Sequence, residues 1–417
     1  MKKFKIKTLG CKVNQYETQL MRERLLSAGH TEAVDEEAAD LCIVNTCTVT
    51  AKADKESREI LRRFLRENPN AEVVAAGCYV EAASDILKAI DKRVRVAGNR
   101  DKLDILKLLK DRDCFAPPDF ARGKSLAMTK GDGITNFHSH TKAFVKVQDG
   151  CSNFCSYCIV PHVRGPSHSR DPDSILKEIT RLIDKGYREL VLTGVCLGDF
   201  GKDLGKDKDL RWLIGKACAI EGDFRLRLSS IELPDVTDEL IGDMQASTKL
   251  CCHLHIPLQS GDDEILKRMN RRYTASCFVD RVRYIRSQIP DIALTTDVIV
   301  GFPGEGDRSF KVTMETLKQI RPSRAHIFTY SPRKGTVAFD MDGNIPFEAR
   351  RCRLKELKAL TDTFAHEFRE KANKKKQRVL VENTRDRKTG LLTGYTDTYI
   401  KLLFDGPDEL MGRFIEK

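Results

Sequence analysis

Strands in this chain run into cysteines. Residues 4–9, 41–45 and 73–76 each read as a short apolar or alternating strand, and they lead through Gly10, Thr46 and Gly77 to Cys11, Cys47 and Cys78. Helical stretches intervene. Residues 14–28 place Leu20, Leu25 and Leu26 on one face, 52–66 form a basic helix stopped at Asn68-Pro69, 82–90 form a third, and 94–96 with 102–109 make a last short unit. This alternation predicts an open parallel α/β sheet. In such a sheet the carboxyl ends of the strands share one edge, where ligands bind. Three thiols far apart in sequence can therefore meet at one point, with Gly10 and Gly77 permitting close approach to a bulky inorganic group. The plain alternative is three unrelated core cysteines, since free Cys is a common buried residue. Cys42, in mid-strand, and Cys114 read as packing or incidental.

A second set is compact. The run 143–147 alternates like a strand and leads into Asp149-Gly150-Cys151-Ser152-Asn153-Phe154-Cys155-Ser156-Tyr157-Cys158. Three thiolates from one loop, spaced C-x3-C-x2-C, can hold three corners of a cubane iron–sulfur cluster, because thiolate sulfur suits iron. The fourth iron is then open to a small molecule. A structural zinc would need a fourth Cys or His nearby, with His162 and His168 as candidates. A disulfide is not expected in a chain without an export signal.

The first residues, Met1-Lys2-Lys3-Phe4-Lys5-Ile6-Lys7, alternate charge and apolar groups and lack the apolar core of a signal peptide. No apolar run approaches the roughly 18 residues of a membrane helix, so a cytoplasmic protein is expected. A chain of 417 residues has room for about two to four domains, and 41% apolar residues can bury a sizeable core. Net charge of +11 points to a polyanionic partner, nucleic acid ahead of membrane; a merely solvated basic surface is the alternative. Fourteen cysteines without an export signal point to metal or redox chemistry for some of them.

After a linker containing Pro117-Pro118, Gly131-Asp132-Gly133 and two loop histidines, His138 and His140, the alternation returns. Strands are expected at 189–193, 224–228, 252–256, 296–300 and 325–328, with helices between them; Asp171-Pro172-Asp173-Ser174 starts the first helix. About six βα units predict a partial barrel with its chemistry at the carboxyl ends of the strands. Those ends offer Thr193 and Gly194, Ser229, Ser230 and Glu232, Gln259-Ser260-Gly261, and Val300 with Phe302 as contacts for a small molecule: hydroxyl and carboxylate groups for a ribose or amine, and a polar edge and flat apolar wall for a purine. Gly and Ser after a strand are also ordinary turn chemistry. From about residue 350 a charged helix carries Leu354, Leu357, Leu360 and Phe364 on one face. Lys374-Lys375-Lys376 follow, then three or more short strands within 378–403. A β module beside a Lys run suggests nucleic-acid binding; an appendage that only packs on the barrel is the alternative.

The motif Cys151-x3-Cys155-x2-Cys158, with Tyr157 before the last cysteine, resembles the radical S-adenosylmethionine superfamily. The contexts Gly10-Cys11-Lys12-Val13-Asn14-Gln15-Tyr16-Glu17, Asn45-Thr46-Cys47-Thr48-Val49 and Gly77-Cys78 resemble its methylthiotransferase branch. So do Val147-Gln148-Asp149-Gly150-Cys151, His255-Ile256-Pro257-Leu258-Gln259-Ser260-Gly261 and Thr296 through Glu305. Lys12 through Glu17 is most similar to the enzymes acting on threonylcarbamoyladenosine in tRNA. Two departures stand out: Cys196 is unusual in Gly194-Val195-Cys196-Leu197-Gly198 and reads as incidental packing, and Leu233 stands where a proline is more usual.

The resemblance implies an N-terminal methylthiotransferase domain (1–112), a linker (113–141), a radical S-adenosylmethionine barrel (142–372) and a short module similar to the RNA-binding TRAM domain (373–417). It implies two [4Fe–4S] clusters. Cys151, Cys155 and Cys158 would hold the one that cleaves S-adenosylmethionine, with Tyr157, Thr193, Gly194, Ser229, Glu232, Gln259, Val300 and Phe302 around that cofactor. Cys11, Cys47 and Cys78 would hold a second cluster that carries or donates sulfur. The implied reaction takes hydrogen from C2 of N6-threonylcarbamoyladenosine, next to the tRNA anticodon, and installs a methylthio group. A C–H bond there is beyond acid–base chemistry, so a cofactor must carry the step. Partners would be the tRNA anticodon stem-loop and an electron donor such as flavodoxin or ferredoxin. Alternatives are isopentenyladenosine tRNA or a ribosomal protein as substrate, or a non-catalytic iron–sulfur RNA-binding or electron-transfer protein.

Overall fold

The computed structural model describes residues 1–34, 37–110, 133–138, 140–205 and 207–417. Most of the expected linker, with Cys114, lies outside the described residues. The N-terminal sheet contains β1 (Lys3–Thr8), β2 (Thr31–Glu32), β3 (Leu41–Thr46), β4 (Glu72–Gly77) and β5 (Val94–Ala97), all parallel, in the order β2-β1-β3-β4-β5. The run Leu41-Cys42-Ile43-Val44 is apolar without alternation, and β3 is buried along its whole length, as a central parallel strand must be. On one face pack α1 (Lys12–Ser27) and α4 (Ile105–Lys110), through Met21, Leu25, Ile105 and Leu108. On the other pack α2 (Ala51–Glu67) and α3 (Cys78–Lys88), through Ile60, Phe64 and Leu87. Thr50 caps α2 by accepting the Ala53 N–H at 3.2 Å. The third helix starts at Cys78 rather than at residue 82, because Gly77, at φ 97°, turns the strand directly into it.

The barrel strands are β6 (Lys142–Lys146), then, after a small antiparallel hairpin of β7 (Gln148–Asp149) and β8 (His168–Ser169), β9 (Glu189–Thr193), β10 (Arg225–Leu228), β11 (His253–His255), β12 (Ala293–Val300) and β13 (Arg324–Thr329). Two parallel three-stranded sheets, β10-β9-β6 and β11-β12-β13, are joined by bridges Leu226–Leu250 and Ser230–His255 into a six-stranded partial barrel. The hairpin has no sequence signal beyond the two residues that form each arm. Outside the barrel lie α6 (Pro172–Asp184), α7 (Leu210–Cys218), α8 (Asp238–Ala246), α10 (Ala275–Gln288), α11 (Asp307–Ile320) and α12 (Phe347–Ala372); the shorter α5 (Val160–Arg164) and α9 (Asp263–Arg268) flank the cysteine loop. Leu226 and Leu228 join the core beneath the helices, which sends Arg225 and Arg227 into the lumen.

The barrel is open between β6 and β13, and the N-terminal sheet spans the gap. Helix α1 packs along β6, while at the other edge the Ala51 N–H meets Ser331 Oγ at 3.0 Å and Arg333 pairs with Asp54.

The chain ends in an antiparallel sheet of β14 (Arg378–Arg385), β15 (Leu392–Thr396), β16 (Lys401–Phe404) and β17 (Phe414–Glu416), in the order β16-β15-β14-β17. It closes the barrel floor. Arg225 donates to the carbonyls of Arg378 and Tyr395, and Arg227 to those of Thr396 and Asp397. Both arginines share Glu189, at 2.6 and 2.8 Å. Among the described residues no helix is long and apolar enough to cross a membrane.

Candidate active site between two cysteine sets

Cys11 is the N-cap of α1, Cys47 follows β3 directly and Cys78 opens α3, so all three stand at the carboxyl edge of the N-terminal sheet. Their thiols act electrostatically on one another. Residue 10 must be small: a Cβ there would lie 2.7 Å from Cys47 Sγ. Cys47 and Cys78 are buried, while Cys11 is exposed. Burial pushes the Cys47 thiol up to about 12. As a free thiol it is therefore neutral, and a bound metal would have to draw off the proton.

The loop of Cys151, Cys155 and Cys158 is braced from below. Ser156 Oγ donates to the Arg268 carbonyl at 2.7 Å, Ser156 N–H to Met269 at 3.0 Å, and Asn270 Nδ2 to the Phe154 carbonyl at 3.0 Å. Phe154, Gln259 and Asn270 all have positive φ, although none is glycine. Such backbone costs about 1–3 kcal/mol each and persists where surrounding bonds impose it. Gln259 is pinned on both sides, its N–H on the Asp297 carbonyl at 2.8 Å and its carbonyl on the Ile299 N–H at 2.9 Å. Arg271 reaches Cys155 Sγ at 3.3 Å and pairs with Glu232. Burial pushes Cys158 up to about 12. Among the described residues neither Cys151, Cys155 and Cys158 nor His162 and His168 fall in a group of three ligand atoms all within 4.8 Å of one another.

The residues expected around a small molecule divide into two groups. Gly194 sits against Gln148, whose Oε1 would be 2.7 Å from a Cβ at 194. Ser229 is buried with its hydroxyl unpartnered, the state expected of a group awaiting a polar ligand. Glu232 lies beside the loop through Arg271, Gln259 is bridged to β12, and Thr193 is buried at the end of β9. Val300 and Phe302 are different. The Val300 side chain belongs to the core beneath the helices. Phe302 is 0% exposed and packs edge-on to Tyr330, with ring centroids 5.5 Å apart, in an apolar cluster that Tyr157 also touches. Phe302 thus packs under the loop, where a flat apolar wall for a purine was expected. Cys196 lies against Cys151. Its sulfur accepts from Asn153 Nδ2 at 3.5 Å, and its N–H donates to Gln148 Oε1 at 2.9 Å.

One member of the strand-end set touches the segment that follows the cysteine loop. Cys78 packs on Ile159 and Val163, in the segment that follows Cys158. Asn99 Nδ2 closes the contact on the Val163 carbonyl at 2.7 Å. Beside it lies a buried ionic network. Glu17 binds Lys102 at 2.6 Å, Lys146 at 2.7 Å and Arg164 at 3.0 Å; Arg164 also binds Asp149 at 2.9 Å and Asn14 at 2.6 Å. Burial alone would raise both carboxyls. Arg164, Lys102 and Lys146 instead hold Glu17 well below the usual carboxylate range, and Arg164 and Lys146 hold Asp149 at about 2. Arg164 also acts on Cys11, Cys47 and Cys78. The sequence reading gave Arg164, Arg271, Lys146, Lys102 and Gln148 no role. Two signals were available: Lys146 in the alternating run 143–147, a charge on the face that a barrel strand turns inward, and Gln148 in the stretch Val147 through Cys151. Lys12, next to Cys11, reaches the lumen; partial burial and the charges of Arg227 and Lys142 bring its amine down to about 8.

The fold and the cysteine loop define a radical S-adenosylmethionine protein. The Radical SAM superfamily model matches residues 145–317, and the model described as "Uncharacterized protein family UPF0004" matches residues 3–98. A solved structure of the radical S-adenosylmethionine methyltransferase TsrM from Kitasatospora setae superposes with a TM-score of 0.57 over 81% of this chain and 77% of its own, at 16% identity, which bears on fold alone. Among curated relatives, the threonylcarbamoyladenosine tRNA methylthiotransferase MtaB of Bacillus subtilis is 36% identical over 98% of this chain and 92% of its own length. That of Thermotoga maritima is 37% identical over 97% and 92%. The tRNA-2-methylthio-N(6)-dimethylallyladenosine synthase of Desulfitobacterium hafniense is 34% identical over 98% and 92%. This chain belongs to the radical S-adenosylmethionine tRNA methylthiotransferase family. That membership implies S-adenosylmethionine and a [4Fe–4S] cluster.

Proposed function

We propose that this protein is the methylthiotransferase that converts N6-threonylcarbamoyladenosine beside the tRNA anticodon to its 2-methylthio form. The observation that carries the reading is the contact between the two cysteine-bearing parts, Cys78 of the strand-end set packed on Ile159 and Val163 just after Cys158. The full-length likeness to the two MtaB proteins supports the choice of nucleoside.

The residues fit two clusters. Each set offers three thiols, as a cubane with one open iron needs. The lack of a side chain at Gly10 leaves room against Cys47, and the orphaned hydroxyl of Ser229 suits a polar group of S-adenosylmethionine. Cys151, Cys155 and Cys158 would hold the cluster that binds this cofactor, and Cys11, Cys47 and Cys78 the second. When bound, these groups supply one-electron cleavage of S-adenosylmethionine, hydrogen abstraction at C2, sulfur and a methyl group. The protein's part is placement. Gln148 and Arg271 fix the cysteine loop, Arg271 holds Glu232 beside it, and Arg164 ties the loop to the sulfur-site cysteines. Tyr157 and Phe302 carry the loop on an apolar base. Thr193, Gly194, Gln259 and the backbone of Val300 border the cofactor space.

Residues 1–112 would then form the sulfur-donating domain, 142–372 the radical domain and 373–417 a TRAM-like module whose basic lead-in, Lys374 to Lys376, meets tRNA phosphates. Such an enzyme works in the cytoplasm, with a flavodoxin- or ferredoxin-like electron donor. Nucleoside mass spectrometry of tRNA from cells with and without the gene tests the reading. It predicts that 2-methylthio-N6-threonylcarbamoyladenosine disappears and its unthiolated parent accumulates. Loss of the 2-methylthio dimethylallyl nucleoside instead would assign the other substrate.

A further inference from the structure

The second half of the barrel carries a group of ligand-type side chains that neither cysteine set uses. Leu294, Val298 and Val300 of β12 belong to the core beneath the helices, so Thr295, Asp297 and Ile299, which alternate with them, face the lumen. Asp297 stands in register with His326 of β13, and Thr295 with His255, the last residue of β11. Residues in register on parallel strands share a face, so both imidazoles and the carboxylate project into the lumen from three adjacent strands. One ligand atom from each lies within 4.8 Å of the other two. His255 Nε2 is 3.2 Å from Asp297 Oδ2, and the two imidazole centroids are 5.9 Å apart. All three residues are half-buried. Ile299, the next inward position on β12, packs with Tyr157 under the cysteine loop, which puts that base about 7 Å further along the strand.

His255 is oriented from behind. Its Nδ1 is 2.9 Å from Thr295 Oγ1, which also meets His253 Nε2 at 3.1 Å and gives its own proton to the Leu254 carbonyl at 3.4 Å. Both imidazoles therefore donate to Thr295, and His255 Nε2 keeps a lone pair aimed at a carboxylate oxygen. Two electron pairs that face each other need a cation between them. A proton would satisfy His255 and Asp297 but would leave out His326, whose ring makes no hydrogen bond among the described residues. We propose that His255, Asp297 and His326 bind a divalent first-row metal ion in the barrel lumen, distinct from both proposed cluster sites. Two imidazoles and a carboxylate form a ligand set for zinc, iron or manganese. A ligating imidazole whose other nitrogen donates to a fixed oxygen is the usual arrangement around such ions. Metal–ligand bonds of about 2.0–2.2 Å set neighbouring ligand atoms about 3–4 Å apart. The His255–Asp297 pair already has that spacing, and a turn of the His326 ring about its broad terminal torsion completes it. Three protein ligands leave the remaining positions open to the lumen, for water or for an oxygen or nitrogen group of a molecule held there.

The test is equilibrium dialysis of the reconstituted full-length protein against Mn²⁺ or Zn²⁺. Bound metal is counted by elemental analysis, with iron counted alongside to confirm that the clusters are retained. The readout is the metal held by wild type in excess of His255→Gln/His326→Gln, so ions on surface thiols and carboxylates cancel. Wild type should hold one equivalent more than the double variant, with Zn²⁺ bound more tightly than Mn²⁺, as the affinity order of such sites requires. Thr295→Val removes no ligand, yet it should weaken binding about 10- to 100-fold, the effect of losing an orienting hydrogen bond. His326→Gln alone, on the edge strand, gives the same comparison should the double variant lose its clusters. A wild type that binds no more of either ion than these variants, at equal iron content, overturns the proposal and leaves His255 and Asp297 sharing a proton. An excess that Asp297→Asn and Thr295→Val both leave unchanged puts the ion elsewhere and overturns it too.

Discussion

The two cysteine sets are assembled by opposite routes. Cys151, Cys155 and Cys158 come from one loop, braced by bonds to residues 268–271, more than a hundred positions away, and by an apolar base under Tyr157. Cys11, Cys47 and Cys78 come from three strand ends, and only the parallel register of β1, β3 and β4 brings them together. The loop's three thiols are contiguous in sequence and need only the barrel that braces them, whereas the second set depends on a separate domain and on how that domain is fastened to the barrel. The difference should appear in what each perturbation destroys.

The largest effect is expected at the loop. Cys155→Ala should abolish reductive cleavage of S-adenosylmethionine, read as 5′-deoxyadenosine release; retained cleavage would break the assignment. Next comes Cys47→Ala, which should keep that cleavage yet stop methylthiolation of tRNA. If product still forms at the wild-type rate, the strand-end set has no part in sulfur insertion. Arg164 joins the two sets, and Arg164→Met leaves Asp149 and Glu17 buried with part of their compensation gone. Breaking such a network costs about 3–5 kcal/mol, and denaturant unfolding should report a loss of that order; a change within error would mean the domains are held by packing alone.

The smallest effect concerns the barrel floor and depends on pH. Burial would raise Glu189, but Arg227 and Arg225 hold it below the usual carboxylate range. A depressed carboxyl stabilises the fold above its unfolded pKa, about 4.3, and that contribution is lost as pH falls below this value toward the folded one. The thermal midpoint of the wild type should therefore exceed that of Glu189→Gln at neutral pH, and the gap should close below about pH 4. A gap that stays constant through the acid range would refute the ion pair's role.

Much of this was legible because chemistry followed simple periods. Strand–helix alternation gave the open sheet and the six-stranded barrel, and C-x3-C-x2-C needs no fold to be read. What stayed hidden was charge turned inward. Arg225-Leu226-Arg227-Leu228 alternates like a strand with one solvated face, yet its arginines point into the lumen and hold the C-terminal sheet. Arg164 and Glu17, far apart in sequence, meet only after the two domains dock, and no local pattern announces such a pair. Phe302 misled for a related reason: an aromatic residue after a strand can line a rim or fill the space beneath it, and neighbours distant in sequence, Tyr330 and Met269 among them, decide which.

The central claim is that two separate cysteine sets each hold their own cluster in a shared cleft. Counting iron and labile sulfide in anaerobically reconstituted full-length protein tests it directly. The account predicts two clusters' worth in the wild type and one in each of two triple variants, Cys11→Ala/Cys47→Ala/Cys78→Ala and Cys151→Ala/Cys155→Ala/Cys158→Ala. A wild type holding a single cluster, lost from one variant and fully kept in the other, would contradict it.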